Sequence, residues 1–203
     1  MRKVFTAGLI GLMLVFLSGC VTYGSMVTAS PSFQPSIGLP PLHEQLQVAV
    51  VMHPQMADER ARLLMSGGAL YYDFEFSVGY DVMRTLPEFL SSLADVHVVS
   101  RVDEARSADF VLVPTVRSSI TGLIKSSAAP RYDLQLTLES IVTRNGVMVD
   151  RIYVTDMDRI DIPAFQNKNH ERTEYMRQQY ENQLARLYTK FETQLLEIIR
   201  VHL

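Results

Sequence analysis

The residues of this 203-residue chain best suited to chemistry are five scattered histidines and one cysteine. No two histidines stand at i and i+4 on one predicted helix, and none has a zinc-type spacing from the cysteine. Ser66-Gly67-Gly68 lacks the frame of a nucleophile elbow, and no phosphate-loop lysine follows it. Asp156, Asp158 and Asp161 lack the glycine and extra oxygens of a calcium loop, so we interpret them as a solvated strand end. We therefore predict no catalytic residue, no metal, no cofactor and no enzyme.

The cysteine, Cys20, follows a segment with the features of a secretory signal. Arg2 and Lys3 form a basic start, and the next residues, 4–17, are an almost unbroken apolar run without an acid. This run is shorter than the ~20 residues of a permanent membrane span and has the length of a signal-peptide core. A single cysteine also excludes an intramolecular disulfide, and with it a disulfide-stapled mini-domain.

The four residues Leu17-Ser18-Gly19-Cys20 resemble the lipobox of bacterial lipoproteins. The resemblance implies that a signal peptidase recognises Leu17, Ser18 and Gly19 and cuts before Cys20. It also implies that the Cys20 thiol carries a diacylglycerol, whose buried methylenes each contribute ~0.8 kcal/mol to membrane attachment. We expect residues 1–19 to be a signal peptide and Cys20 to hold the protein on a membrane. The alternative is a signal anchor with an incidental cysteine.

Residue 21 and the charge of the chain bear on location and partners. Val21, in place of an aspartate, resembles the enterobacterial pattern for outer-membrane sorting. We expect a lipid-anchored outer-membrane protein whose domain faces the periplasm. The net charge of −3 disfavours a nucleic-acid partner and makes lipid, rather than a basic patch, the means of attachment.

The mature chain divides by composition into a tether and one domain. Residues 20–45 are rich in serine and proline, which predicts a lipidated N-terminus and a flexible tether. The alternative is that part of this segment is ordered against a partner. Residues 46–203 carry most of the apolar residues, which make up 47% of the whole chain, and we predict a single periplasm-facing domain there.

Hydrophobic periodicity predicts an α+β fold for this domain: a mixed sheet of about five strands in the order β-α-β-(α)-β-β-β-α, with helices packed on it. Asn145-Gly146 predicts a two-residue hairpin turn of type I′. The segment 57–65 is expected to be a short helix or a loop. Strands are predicted at 46–52, 96–100, 109–116 and 147–156, and a further strand passes through Leu134, Leu136 and Leu138. Helices are predicted at 77–94 and 169–201.

The long C-terminal helix has a wide apolar stripe, which favours a core-facing helix over a coiled-coil seam. Leu187 and Phe191 lie on this stripe by their spacing. Gln183 and Gln194 are assigned to the solvated face.

Two short segments resemble a group of envelope proteins. They are Ala105 to Val113, a small-residue step into an apolar strand, and Leu136 to Val147, a strand ending in a glycine turn. The group comprises the TolB amino-terminal domain, the curli secretion lipoprotein and the lipoprotein activators of penicillin-binding proteins. The resemblance follows the order of elements over 46–156; this chain lacks the tryptophan common after the turn glycine, and its residues 54–76 are longer. It implies an envelope protein complex as partner and allows a homo-oligomer, since some members form rings.

An alternating segment, Tyr71 to Phe76, supplies the candidate surface for a partner. Tyr72, Phe74 and Phe76 share one face of a predicted strand, while Tyr71, Asp73 and Glu75 share the other. Aromatic residues anchor protein interfaces, so we predict that Tyr71, Asp73 and Glu75 contact another protein. The alternative is a strand with one aromatic face in the core and no binding role.

These observations favour a non-catalytic, lipid-anchored accessory that scaffolds or stabilises a larger secretion, appendage or cell-wall assembly. The alternative is a lipoprotein that handles lipid or lipopolysaccharide for an outer-membrane translocon or an ABC transporter. That function needs an apolar groove between the sheet and the helices. A small hydrolase ranks third.

Overall fold

The computed structural model describes residues 21–31, 46–67, 70–123, 131–161 and 169–203. The lipobox-like residues 17–20 lie outside these ranges, so their predicted roles remain predictions. The fold is α+β, as predicted, and the long C-terminal helix is confirmed. The strands and helices are β1 (Val21–Val27), β2 (Gln47–Val51), β3 (Ala61–Gly67), β4 (Leu70–Phe76), α1 (Val78–Ser91), β5 (Asp95–Val99), β6 (Phe110–Leu123), β7 (Arg131–Arg144), β8 (Val147–Asp161) and α2 (Asn169–His202).

The larger sheet has five strands in the order β5-β2-β6-β7-β8. β2 lies parallel to both β5 and β6, and the long strands β6, β7 and β8 form an antiparallel meander. Asn145 and Gly146 have φ values of 52° and 76° between β7 and β8. These left-handed conformations are those of a type I′ turn, which confirms the predicted hairpin. β8 extends to Asp161, beyond the predicted end at 156.

The core lies between one face of this sheet and the two helices. Alternate residues of β7 from Tyr132 to Val142 are buried, as a strand with one covered face requires. The stripe of α2 packs on them: Tyr180, Leu184, Leu187, Tyr188 and Phe191 are all fully buried.

The assignment of Gln183 to the solvated face is wrong. Its side chain is fully buried, and its Nε2 donates to the carbonyl oxygens of Leu134 at 2.8 Å and Asp156 at 3.1 Å. Gln194 is partly buried and bridges the backbone N–H and carbonyl of Tyr153 on the edge strand β8. Both amides therefore bind strand backbone, which a polarity pattern alone does not reveal.

A second sheet of three strands, in the order β1-β4-β3, overturns two expectations. The first described part of the expected tether, Val21–Val27, is a strand parallel to β4. The segment 57–65, expected to be a short helix or a loop, holds the end of a 3-10 turn, Pro54–Asp58, and then most of β3, which is antiparallel to β4. In β3, Leu64 is an exposed apolar residue, so it conceals the alternation that buries Ala61 and Leu63.

Candidate interaction surfaces

The alternating segment forms β4. Four of its residues lie on the faces of the strand that the alternation predicts. Phe74 and Phe76 are buried, whereas Asp73 and Glu75 are partly exposed on the opposite face. The Phe76 ring packs edge-on against Tyr180 of α2 at a centroid distance of 5.3 Å. Tyr71 belongs to the backbone of β4, and the structure does not describe its side chain.

The two acids of this face are paired within the sheet. Arg62 of β3 donates from Nε to Asp73 Oδ1 at 2.8 Å, and Arg60 pairs with Glu75. Hydrogen bonding from Arg62 lowers the pKa of Asp73 below its usual value. Asp73 therefore helps to join β3 to β4, Glu75 holds the residue just before β3, and any partner meets both acids as ion pairs.

Exposed apolar residues flank these ion pairs. Met26 lies beside Glu75 in the β1–β4 register, and Leu64 lies beside Asp73 in the β3–β4 register. Their side chains are 62% and 63% exposed. We call Met26, Leu64, Asp73 and Glu75 the small-sheet face. Two large apolar side chains around two neutralised acids form a surface suited to contact with another protein.

The face of the larger sheet that turns away from the helices carries a polar groove of about 330 Å³. Among the described residues, no acid pairs with Arg117 in this groove, whereas Glu139 is paired with Arg151. At the β2 and β5 end, the same face is covered by the 3-10 turn Val102–Ala105 and a small apolar cluster. The remaining residues that line the groove are Thr115, Ser118, Ser119, Gln135, Thr137 and Tyr153.

A buried carboxylate fixes the chain that follows β1. Asp81 of α1 is fully buried, and its Oδ2 accepts the N–H of Ala29 at 3.1 Å. Arg84 binds the Ala29 carbonyl and the Ser30 hydroxyl, and Glu181 of α2 accepts the Ser30 N–H at 2.9 Å. The segment after β1 is thus held by both helices, which is the physical reason why this part of the chain is not a flexible tether.

Burial raises the pKa of Asp81 to about 6. The Ala29 N–H, the Tyr180 hydroxyl and the Arg84 cation oppose this shift, while the charge of Glu181 adds to it. The sequence analysis did not identify Asp81. Helical spacing could have revealed its burial. Asp81 stands three residues after Val78 and four before Thr85, and both of these are buried on the stripe of α1.

We expect Asp81→Asn to reduce the pH dependence of stability. The folded protein binds the Asp81 proton with a pKa of about 6, above the ~3.9 of an unfolded chain. The free energy of unfolding therefore gains about 2–3 kcal/mol from this group as the pH falls from 7 to 4, and loses it as the pH rises. Urea unfolding of fragment 21–203 across this range measures the difference between the variant and the wild type.

The exposed Asp103, which pairs with Arg101, offers the matched control for that experiment. Asp103→Asn should show the same dependence of the unfolding free energy on pH as the wild type. An Asp81→Asn profile as steep as that of the wild type would contradict the assignment.

Asp156, Asp158 and Asp161, interpreted as a solvated strand end, are part of β8. For Asp156 the interpretation is wrong, because its side chain is buried. Asp156 is 5% exposed and pairs with Lys190 at 2.5 Å and Arg186 at 3.0 Å, both on α2. Asp158 also pairs with Arg186. These contacts attach α2 to the edge strand, because leaving the buried Asp156 charge unpaired would cost several kcal/mol.

Two further findings apply to the described ranges alone. Within them, no three His, Cys, Asp or Glu side chains are grouped so that they could hold a metal ion. No helix there is long and apolar enough to cross a membrane.

The chain matches no protein-family model and no curated protein. Its fold is similar to that of a putative neuraminyllactose-binding hemagglutinin homolog from Helicobacter pylori, with a TM-score of 0.51 and 10% identity over 83% of this chain and 98% of that one. A DUF330 protein from Xanthomonas campestris gives a TM-score of 0.45 with 13% identity over 85% and 98% of the two chains. The PelC dodecamer from Paraburkholderia phytofirmans gives 0.32 with 16% identity over 75% and 92%. At 10% identity, the similarity to the Helicobacter pylori protein shows a shared fold and no shared role. The resemblance to the TolB group remains a prediction.

Proposed function

We propose that the protein is a non-catalytic, lipid-anchored accessory of the bacterial envelope, which scaffolds or stabilises a larger secretion, appendage or cell-wall assembly. The observation that carries the proposal is the lipobox-like sequence at 17–20, which stands directly before a chain that folds into an α+β domain. The small-sheet face supports the second part of the proposal, because it offers a mixed apolar and charged surface to another protein.

The lipid-handling alternative finds less support in the packing. A carrier needs an apolar groove between the sheet and the helices, and the described residues in that space are packed against one another. Phe89 of α1 stacks on Tyr188 of α2 at 5.3 Å, and the Tyr188 hydroxyl is 2.8 Å from Thr85 Oγ1. Native mass spectrometry of fragment 21–203 separates the two functions: a discrete oligomer favours the scaffold, and co-purified lipid favours the carrier.

We expect Cys20→Ser to abolish lipid attachment and to leave an unprocessed precursor. The serine hydroxyl does not replace the thiol as the nucleophile that takes the diacylglycerol. Metabolic labelling with a palmitate analogue, followed by gel analysis of the precursor and mature forms, measures both effects. Ser25→Ala, beyond the cleavage site, should keep full labelling. A Cys20→Ser protein labelled like the wild type would refute the anchor.

We expect a photoreactive residue at Leu64 to crosslink to an envelope protein in cells. Leu64 is exposed on the small-sheet face, where apolar contact with a partner would bury it. Asp73→Lys, which reverses the charge beside Leu64, should weaken the adduct severalfold. The control position is Met148, which is similarly exposed at 54% but lies on β8. Adducts from 148 and none from 64 would move the partner to another surface.

A further inference from the structure

The sheet begins one peptide bond after the predicted lipid-bearing residue. β1 starts at Val21, and Val21 is already in register with Leu70 of β4. Consecutive Cα atoms are 3.80 Å apart across a trans peptide, so hardly any chain separates the Cys20 backbone from the folded domain. A lipid on Cys20 would therefore hold the domain itself, and the serine- and proline-rich residues would lie beyond β1 in the chain.

Strand registers identify which end of the domain lies beside Val21. Gly67 of β3 pairs with Leu70 at this end of the small sheet. In the larger sheet, Leu123 of β6 pairs with Arg131 of β7, and Arg131 pairs with Asp161 of β8.

Three contacts place these sheet ends together. Glu59, just before β3, accepts the Ser118 N–H at 2.7 Å, and Leu63 of β3 lies against Gly122, so β3 and β6 run in the same direction. Thr173, in the first turns of α2, lies 3.3 Å from Ser25 of β1 between their hydroxyls. We call this end, defined by Val21, Leu70, Leu123, Arg131 and Asp161, the anchor pole.

The opposite end of the domain holds the Asn145-Gly146 turn and the C-terminus of α2. Gln194 binds Tyr153, and Ile198 and Val201 line a groove with Asp150, so α2 runs towards that turn. β8 has 15 residues, which at about 3.4 Å per residue separates the two poles by roughly 45–50 Å.

We infer that the anchor pole rests against a lipid surface and that the opposite pole faces away from it. The inference deepens the proposed function, since it rests on the lipid at Cys20. A domain joined to its lipid by one peptide bond keeps the anchor pole at the headgroups, and with β8 along the membrane normal its far end stands some 45 Å away. In this upright orientation the exposed apolar residues Met148 and Leu203 at the opposite pole lie away from the membrane.

The test uses the full-length lipoprotein in vesicles of phosphatidylethanolamine and phosphatidylglycerol that contain a nitroxide-headgroup lipid. A lipid-modified Cys20 has no free thiol, and it is the only cysteine, so each introduced cysteine carries a unique fluorophore. The labels form a ladder at three exposed positions: Thr121→Cys near the anchor pole, Thr115→Cys midway, and Met148→Cys at the far turn. We expect quenching severalfold stronger at 121 than at 148, with 115 between them. Equal quenching at the three sites, or stronger quenching at 148, would overturn the orientation.

A flexible insertion tests whether the direct junction between Cys20 and β1 sets the orientation of the domain. Twenty Gly/Ser residues are inserted between Cys20 and Val21, where they leave β1 intact and add roughly 25 Å of average span. Quenching at 121 should then fall severalfold. An unchanged value at 121 would show that the direct junction does not set the orientation. Mass spectrometry of the lipid on Cys20 is read first: its absence refutes the proposed anchor, whereas lipid with a reversed ladder refutes the orientation alone.

Discussion

Leu187→Asp and Phe191→Asp should each leave the domain largely unfolded. Both side chains are fully buried on the stripe of α2, within the core cluster that includes the leucines of β7. Each substitution removes a large apolar side chain, which costs ~2–5 kcal/mol, and buries an unpaired carboxylate, which costs several more. The sum approaches the whole stability of a typical domain, ~5–15 kcal/mol. Thermal melts of fragment 21–203 followed by circular dichroism measure the loss.

The matched control for these variants is Asn182→Asp, which puts the same charge on an exposed position of α2. Its effect should stay within about 0.5 kcal/mol. Gln183 is unsuitable as a control, because its amide is buried on the carbonyls of Leu134 and Asp156. Melting temperatures that are equal for Leu187→Asp and Asn182→Asp would mean that the stripe is not packed.

Gly79→Ala should destabilise the domain by about 3 kcal/mol or more. Gly79 lies in the first turn of α1, and its N–H donates to the Glu59 carbonyl at 2.9 Å. A Cβ at this position would overlap the backbone carbonyl of Met56, in the 3-10 turn before β3. Relief requires the two backbones to separate, which is costlier than the ~1–3 kcal/mol of ordinary overpacking. Urea denaturation of fragment 21–203 gives the change in unfolding free energy.

Gly24→Ala provides the comparison, because a Cβ on Gly24 meets nothing within 4 Å. It should be neutral or slightly stabilising, since alanine loses less backbone entropy than glycine on folding. A mild effect at Gly79, equal to that at Gly24, would contradict the close approach of α1 to the Pro54–Asp58 turn.

Local patterns predicted most of the larger sheet and both helices. The Asn145-Gly146 pair needs only its two neighbouring strands to form its turn, and the predicted helix 169–201 differs from α2 by one residue. The faces of Phe74 and Phe76 followed from alternation alone. These features depend on contacts between residues close in the chain, so a window of sequence contains their cause.

The small sheet could not be predicted in the same way. β1 owes its conformation to β4, which lies about fifty residues further along the chain. Its own sequence interrupts the strand formers valine, threonine and tyrosine with glycine and serine and shows no alternating pattern. The candidate surface was likewise found only in part. Asp73 and Glu75 were identified by alternation, whereas Met26 and Leu64 join them only through strand pairing.

The sequence by itself determined the features that act through local or covalent chemistry: the lipobox-like residues before Val21, the α+β class with the order of elements in the larger sheet, and the buried stripe of α2. Tertiary structure decided what depends on distant neighbours. It buried Asp81 beneath Ala29, placed Gln183 on strand carbonyls, and made the residues after Cys20 a strand instead of a tether. The physical reason is that a polar or flexible segment is ordered only when remote groups satisfy its backbone, and a single chain window does not contain those groups.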